Sequence, residues 1–514
     1  MHILSLFESN VRKYPHKPML RYAGASYTYA AIDDLSRRAA TVLAQHGVRH
    51  GDRVALMCLN TPGFVIAMLG VWRLGAVVVP VNHKLQAPEV EYILAHARAR
   101  LCLFDGALAP VMDAIKTPVA RMSTDSAVAG AAFLDALIRN PNGDPTKEAR
   151  PFSGEPGQED EIAEILYTSG TTGRPKGCLL SHRGACVAAS TSALALSMTR
   201  DERTLIAMPL WHSSPLNNWM LGTLLVGGTV VLLREYHPRH FLQTVQDEAV
   251  TLYFGAPVSY LLPLQMSLDV QQFRLDSVRA WIYGGGPIGP DTARRLAEVY
   301  RSENFFQVFG MTETGPSGTV LYPDEQLAKA GSIGRVATPG VDLRLVRKDG
   351  GDAGAGEVGE IWLKADSMMQ GYLDDEAATS SAFCEGWYRS GDLARRDEDG
   401  FLFIVDREKD MIITGGENVY SKEVEDALLA HPSVKDVAVI GRPHPEWGET
   451  VVAVVVPQAD TQVDPQSLSE FLAARLARYK IPRDYLVLES LPRTPTGKLM
   501  KHVVRGMAQA AKRA

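Results

Sequence analysis

Tyr167-Thr-Ser-Gly-Thr-Thr-Gly-Arg-Pro-Lys-Gly177 stands directly after the apolar run Ile162–Tyr167. It packs three glycines, four aliphatic hydroxyls and two cations into eleven residues. Small residues let backbone N–H groups close on oxygens, hydroxyls add donors, and Arg174 and Lys176 supply charge. That chemistry suits a polyphosphate. The stretch is not a Walker A loop, because no Gly-Lys-Ser/Thr stands at that motif's spacing. A solvated linker would explain neither the cations nor the buried strand before them.

Outward from this loop, short β-branched runs alternate with helical patterns. Strands are expected at Arg53–Cys58, Ala76–Val81, Leu101–Phe104, Ile162–Tyr167, Thr229–Leu233, Thr251–Phe254, Val278–Tyr283 and Phe305–Phe309. Helices are expected near Phe64–Leu74, Pro88–His96, His182–Ala195, Arg239–Glu248 and Asp291–Arg301. Apolar strands alternating with helices predict an α/β fold of parallel sheets covered on both faces. The Pro-, Gly- and charge-rich stretch Ile138–Glu161 reads as a linker. From Val341 to Val405 the texture turns to strands and tight turns, a β-rich subdomain. A small α+β segment follows, with a helix capped by Ser421, strands at Val437–Ile440 and Thr450–Val456, and a helix at Leu468–Arg478. The expected division is therefore a large domain over 1–406 and a small one over 407–514, joined by a hinge at Asp406–Lys409.

The 514 residues carry 53 basic and 59 acidic side chains, a net charge of −6 that offers no general attraction to nucleic acid. The five cysteines are scattered and form no CxxC pair, so they read as small buried hydrophobes in a reducing compartment. Met1–Asn10 lacks a basic n-region, and no apolar run reaches the roughly 18–20 residues of a membrane span. The expectation is a cytoplasmic protein whose membrane contact, where it has any, is peripheral. A homodimer stays open.

Further motifs follow in order: Gly284-Gly-Gly-Pro287, Phe309-Gly-Met-Thr-Glu-Thr314, Tyr388-Arg-Ser-Gly-Asp392, Asp406-Arg-Glu-Lys-Asp410, Gly415-Gly-Glu-Asn418 and Pro495-Thr-Gly-Lys498. Together with Ser169-Gly-Thr-Thr-Gly-Arg-Pro-Lys-Gly177 they resemble, over nearly the whole chain, the adenylate-forming superfamily of acyl-CoA synthetases, synthetase adenylation domains and beetle luciferases.

The resemblance implies the following roles. Thr168, Ser169, Gly170, Thr171, Thr172, Gly173 and Lys176 hold the ATP phosphates; Thr168 and Glu313 hold Mg²⁺, a hard cation that prefers oxygen. Gly284, Gly285, Gly286, Pro287, Phe309, Gly310, Met311 and Thr312 form the adenine pocket, with Phe309 at the C-terminal end of a strand, where α/β sheets bind ligands. Asp392 accepts from the ribose hydroxyls, with Arg407 beside it. Lys498 is the catalytic lysine, a point charge for the substrate carboxylate and α-phosphate. Lys409 is the hinge residue. Gly415, Gly416 and Glu417 serve the thioester step with CoA once the small domain has rotated.

His212, in Met208-Pro-Leu-Trp-His-Ser-Ser214, falls where acyl- and aryl-CoA synthetases often carry a histidine near the carboxylate. The acyl pocket is expected from Trp211–Trp219, Tyr253–Pro257, Tyr283–Gly286 and Gly315–Val320, with His212, Asn217, Tyr253, Gly284, Gly285 and Gly315 lining it. These segments hold no Asp for an α-ammonium group, whose unpaired burial costs several kcal/mol. Nor do they hold a cation for a second carboxylate. A medium- or long-chain fatty acid is the first expectation and an arylpropenoic acid the second. CoA is the expected acceptor, with a carrier protein as the alternative. A catalytically silent nucleotide-binding protein on the same fold would be expected to have lost Glu313, Asp392 or Lys498, and all three are present.

Overall fold

The computed structural model describes all residues except 140–151, 153, 155–156, 169–173, 287, 415–416, 460, 494–498 and 512–514. The chain divides into two compact units, Met1–Leu343 with Leu363–Tyr388, and Arg344–Trp362 with Arg389–Ala514.

The larger unit is built on two sheets. One runs Val336–Ala337, Gly318–Leu321, Phe305–Gly310, Ala280–Gly284, Leu252–Gly255, Arg203–Ile206, Thr229–Leu232, Pro18–Tyr22, Ala25–Thr28. Its middle is parallel and its edges antiparallel. The other runs Gly371–Tyr372, Lys176–Ser181, Ile162–Thr168, Val77–Pro80, Arg53–Met57, Leu101–Phe104, Ala120–Ser123, Ala132–Phe133. Alternate residues of each strand go to different cores. Ile206, Val230, Phe254 and Ile282 join Leu56, Val78, Leu166 and Cys178 in one cluster shared by both sheets. Leu205, Val231, Tyr253 and Trp281 enter a second cluster on the other face of the first sheet. Burial on both faces is why these strands read as unbroken apolar runs rather than alternating ones.

The expected α/β architecture is present, and the expected strands and helices of this unit lie within a few residues of their observed ends. Several strands were not expected, among them Pro18–Tyr22, Arg203–Ile206 inside the first sheet, Gly318–Leu321 and, beside the phosphate motif, Lys176–Ser181. Lys176–Ser181 returns antiparallel beside Ile162–Thr168 and ends on Ser181, whose Oγ accepts the Gly184 N–H (3.0 Å) and caps the helix His182–Ala195.

The strand Trp387–Arg396, which from Arg389 onward belongs to the smaller unit, pairs antiparallel with Leu402–Arg407. A second sheet runs Glu417–Val419, Ile412–Thr414, Gly448–Pro457, Val434–His444, with Asp484–Val487 parallel to Gly448–Pro457. Its strands also divide their alternate residues between two cores. Val439, Val451 and Val455 pack with Leu428 and Leu472, whereas Ile440, Val452 and Val454 pack with Val504 and Ala508. Two details correct the sequence reading. Ser421 is the first residue of the helix Ser421–Leu429, behind an N-cap at Tyr420, and its hydroxyl is spent on buried Asp406 (2.8 Å). The helix expected to reach Arg478 ends at Ala473.

No helix among the described residues is long and apolar enough to cross a membrane. All five cysteines are free, and four are buried.

Candidate active site

The polyphosphate motif is a hairpin. Thr168 closes one strand, Lys176 opens the next, and the two stand directly opposite each other in the ladder, followed by Tyr167 opposite Gly177. Directly opposed residues leave the same face of an antiparallel pair. Both therefore face the side on which Cys178 lies buried. Burial first, then the Glu313 charge, pushes that thiol well above its ordinary range, and the Lys176 charge opposes the shift. A side chain at Gly177 would sit 2.8 Å from Ile165 Cγ2, so the return strand packs only with glycine there. Ser169, Gly170, Thr171, Thr172 and Gly173 lie outside the described residues.

In the facing sheet, Ala280–Gly284 and Phe305–Gly310 are neighbours and run parallel, with Gly284 beside Val308. Gly284, Gly285 and half-buried Phe309 thus emerge together at the strands' C-terminal ends, with Gly286 just beyond. Pro287 lies outside the described residues. Gly310 and Met311 lead into a single turn over Thr312–Thr314. Thr312 Oγ1 lies 3.0 Å from Ser213 Oγ. Glu313 Oε1 accepts the Tyr372 hydroxyl (3.1 Å). Gly315 ends the turn at φ +70°, with the Ser367 carbonyl oxygen 2.1 Å from where a Cβ would stand. Only glycine fits this position.

His212 precedes a π-helix, Ser214–Met220, all seven residues of which are buried. The Ser214 N–H approaches His212 Nδ1 at 3.4 Å, and the His212 ring meets Trp211 edge-on. Trp219 stacks on Phe254, centroids 5.2 Å apart, and donates to Ser214 Oγ (3.0 Å). Asn217 donates to Glu164 Oε1 (2.5 Å). Glu164 is fully buried, and burial pushes its carboxyl up to about 7. Tyr253 does not join this group. It packs 4.4 Å from Phe241 on the opposite face of the sheet, and Phe254 takes the inward place.

The smaller unit brings Asp392 and Arg407 together. They are opposed across the ladder, with Arg407 Nε 3.1 Å from Asp392 Oδ1. Ser390 Oγ accepts the Asp392 N–H (3.0 Å), and Glu360 accepts that of Gly391 (2.9 Å). Lys409 is exposed on the turn Glu408–Asp410, and Glu417 is exposed on the strand Glu417–Val419. Gly415, Gly416 and Lys498 lie outside the described residues.

The model of the AMP-binding enzyme family matches residues 7–373, and that of the AMP-binding enzyme C-terminal domain matches 423–498. The chain belongs to the AMP-binding enzyme family. Among curated relatives it is 37% identical over 498 residues to a feruloyl-CoA synthase of Amycolatopsis sp, covering 96% of each chain. It is 36% identical over 485 residues to the long-chain-fatty-acid–CoA ligase FadD13 of Mycobacterium tuberculosis, covering 93% of this chain and 92% of that one. Among solved structures it matches the o-succinylbenzoate CoA synthetase of Bacillus subtilis, in complex with its acyl-adenylate, with a TM-score of 0.85. That match has 30% identity and covers 97% of each chain. ATP-bound MatB from Rhodopseudomonas palustris matches with a TM-score of 0.86, 29% identity and 99% coverage of each. This AMP-binding enzyme is an AMP-forming acid–CoA ligase, with ATP and CoA as substrates.

The Mg²⁺ implied by the family meets a compatible donor set: Thr168, opposite Lys176, and Glu313, bonded to Tyr372 on the strand beside Lys176–Ser181, offer only oxygens, as a hard cation requires. No group of three His, Cys, Asp or Glu side chains among the described residues could hold a metal unaided. A cation held with substrate phosphates needs only one or two protein ligands. Glu164 and Tyr372 were not singled out from sequence, and Phe254 fell inside the expected segment Tyr253–Pro257, where Tyr253 was named instead. Glu164 carried a signal, a lone acid inside an otherwise apolar strand run.

Proposed function

We propose that this ligase activates an apolar carboxylic acid, a medium- or long-chain fatty acid, and passes the acyl group to CoA. In the first step the acid's carboxylate attacks the α-phosphorus in line and pyrophosphate leaves. Thr168 and Lys176 hold the phosphates from opposite strands of the hairpin, and Lys498 supplies cationic charge to the reacting oxygens. Phe309 and Gly284–Gly286 bind adenine. Asp392 accepts from the ribose, with Arg407 fixing its carboxylate. Mg²⁺, held by Glu313 and Thr168, neutralises phosphate charge when bound. In the second step the CoA thiol attacks the acyl carbon and AMP leaves. No protein nucleophile is needed. The moving segment is assigned to 407–514, with Lys409 as hinge and Gly415-Gly416-Glu417 serving the thiol.

The observation that carries this reading is the opposed pair Thr168–Lys176, with Tyr372 reaching both Glu313 and the Lys176 ammonium. The apolar substrate is supported by the fully buried π-helix and the Trp219–Phe254 stack. That same aromatic wall favours a second reading, an arylpropenoic acid, in keeping with the feruloyl-CoA synthase among the relatives. The test is pyrophosphate release with and without CoA, over acids from acetate to palmitate plus benzoate, coumarate and ferulate. The fatty acid reading predicts kcat/KM rising with chain length. A maximum at coumarate or ferulate would replace it with the second reading, and no AMP from any acid would sink both.

A further inference from the structure

Residues 367–373 run between the turn that carries Glu313 and the hairpin that carries Lys176, and their hydrogen bonds go to both. The Met369 N–H donates to the Glu313 carbonyl (2.9 Å) and Ser367 Oγ to that of Thr314 (2.7 Å). In the other direction, the N–H groups of Gln370 and Leu373 donate to the carbonyls of Leu179 and Gly177, each at 2.8 Å. Tyr372 lies opposite Cys178 in this register. Its hydroxyl donates to Glu313 Oε1 at 3.1 Å, and its ring centroid stands 4.9 Å from Lys176 Nζ.

We infer that Tyr372 is a positioning residue for adenylation, one side chain whose phenol orients the Glu313 carboxylate while its ring seats the Lys176 ammonium. The inference rests on Glu313 being a ligand of Mg²⁺. A carboxylate that holds a metal gains orientation and basicity from its own hydrogen-bond donor, and such outer partners are typically worth about 10–100-fold in metal affinity. The ring adds a cation–π site for Lys176, whose charge then lies beside the metal-holding oxygens.

The test uses the full chain and the variants Tyr372→Phe, Tyr372→Leu and Glu313→Gln, with Mn²⁺ and a non-hydrolysable ATP analogue as probes. Tyr372→Phe keeps the ring and removes the hydroxyl. Mn²⁺ affinity, read by electron paramagnetic resonance in the presence of the analogue, should fall about 10-fold. The Mg²⁺ concentration that half-saturates pyrophosphate exchange should rise by the same factor, with the KM of the acid unchanged. Tyr372→Leu should in addition weaken binding of the analogue measured without metal. If Glu313→Gln loses Mn²⁺ affinity and Tyr372→Phe does not, the inference is overturned, even where Tyr372→Phe melts earlier. If Glu313→Gln also leaves Mn²⁺ affinity intact, the metal assignment itself has failed and the inference falls with it. Should Tyr372→Phe not fold, Tyr372→Leu, which also lacks the hydroxyl, carries the Mn²⁺ readout. A fall of about 10-fold in Mn²⁺ affinity there supports the inference, and no fall overturns it.

Discussion

Glu164→Gln should make the enzyme more stable at pH 8 and leave it nearly unchanged at pH 5. Glu164 is fully enclosed in the core shared by the two large sheets, where Asn217 donates to its Oε1. Two acceptors there have no partner among the described residues, Glu164 Oε2 and Asn217 Oδ1. A single proton on Oε2 converts one of them into the donor that the other lacks, closing a two-bond acid–amide ring. Burial favours that neutral form and raises the carboxyl from its ordinary 4.5 to about 7. The folded state therefore binds the proton more tightly than the unfolded chain. The stability this confers is fully present below pH 4.5, is lost as pH rises towards 7, and stays lost above it. At about 1.4 kcal/mol per tenfold in proton affinity, the loss is about 3 kcal/mol.

A glutamine at 164 has the shape of the protonated acid, donates through its amide, and does not titrate. Spread over the larger unit at about 2.1 cal/mol/K per residue, 3 kcal/mol corresponds to on the order of 4 °C in melting temperature. Scanning calorimetry of both proteins from pH 5 to pH 8 should show the variant pulling ahead by that amount. Glu164→Leu should lie below both at pH 5, because it strands the Asn217 amide at a cost of about 1–3 kcal/mol. A difference between wild type and Glu164→Gln that stays constant with pH would refute the acid–amide ring.

Lys498→Ala should cut pyrophosphate exchange by about 10²–10³-fold while equilibrium binding of ATP persists, the mark of charge needed only in the transition state. Asp392→Asn keeps the shape at the Arg407 pair but removes its charge. Steady-state kinetics should show the KM for ATP rising about 10-fold, as for loss of a hydrogen bond to a charged group. Gly315→Ala places a methyl 2.1 Å from the Ser367 carbonyl at a positive φ. Thermal denaturation should register a cost of about 1–3 kcal/mol or more.

The architecture was legible because parallel strands covered on both faces leave unbroken apolar runs, and Leu101–Phe104 and His182–Ala195 fall at their expected limits. Lys176–Ser181 was hidden because its first residues belong to the phosphate motif and read as loop. Tyr253 and Phe254 show a limit of pattern reading in such strands. When both faces are apolar, parity does not tell which face looks inward, and the structure puts Phe254 against Trp219 and Tyr253 against Phe241. Ser421 looked like a cap because hydroxyls favour that place, but a buried carboxylate at Asp406 competes for it more strongly. Tyr372 left no local trace. Its strand is two residues long, and its partner Glu313 is fifty-nine residues away.

What sequence patterns convey least is how the site keeps its spacing. Apolar burial holds the two large sheets together but is non-directional, so by itself it tolerates small slides between them. Catalytic geometry does not, since a misplacement of 1 Å can cost about 100-fold. In this enzyme short polar bonds bridge the elements that carry the site. Asn217 joins the π-helix to the strand before the phosphate loop, Ser213 meets Thr312, and Tyr372 ties Glu313 to the edge of the hairpin sheet. Each is directional, and each lies between residues distant in sequence. Removing one should therefore loosen the register of the site before it unfolds the protein, and variants at these positions should lose turnover at temperatures where their folded fraction is still complete.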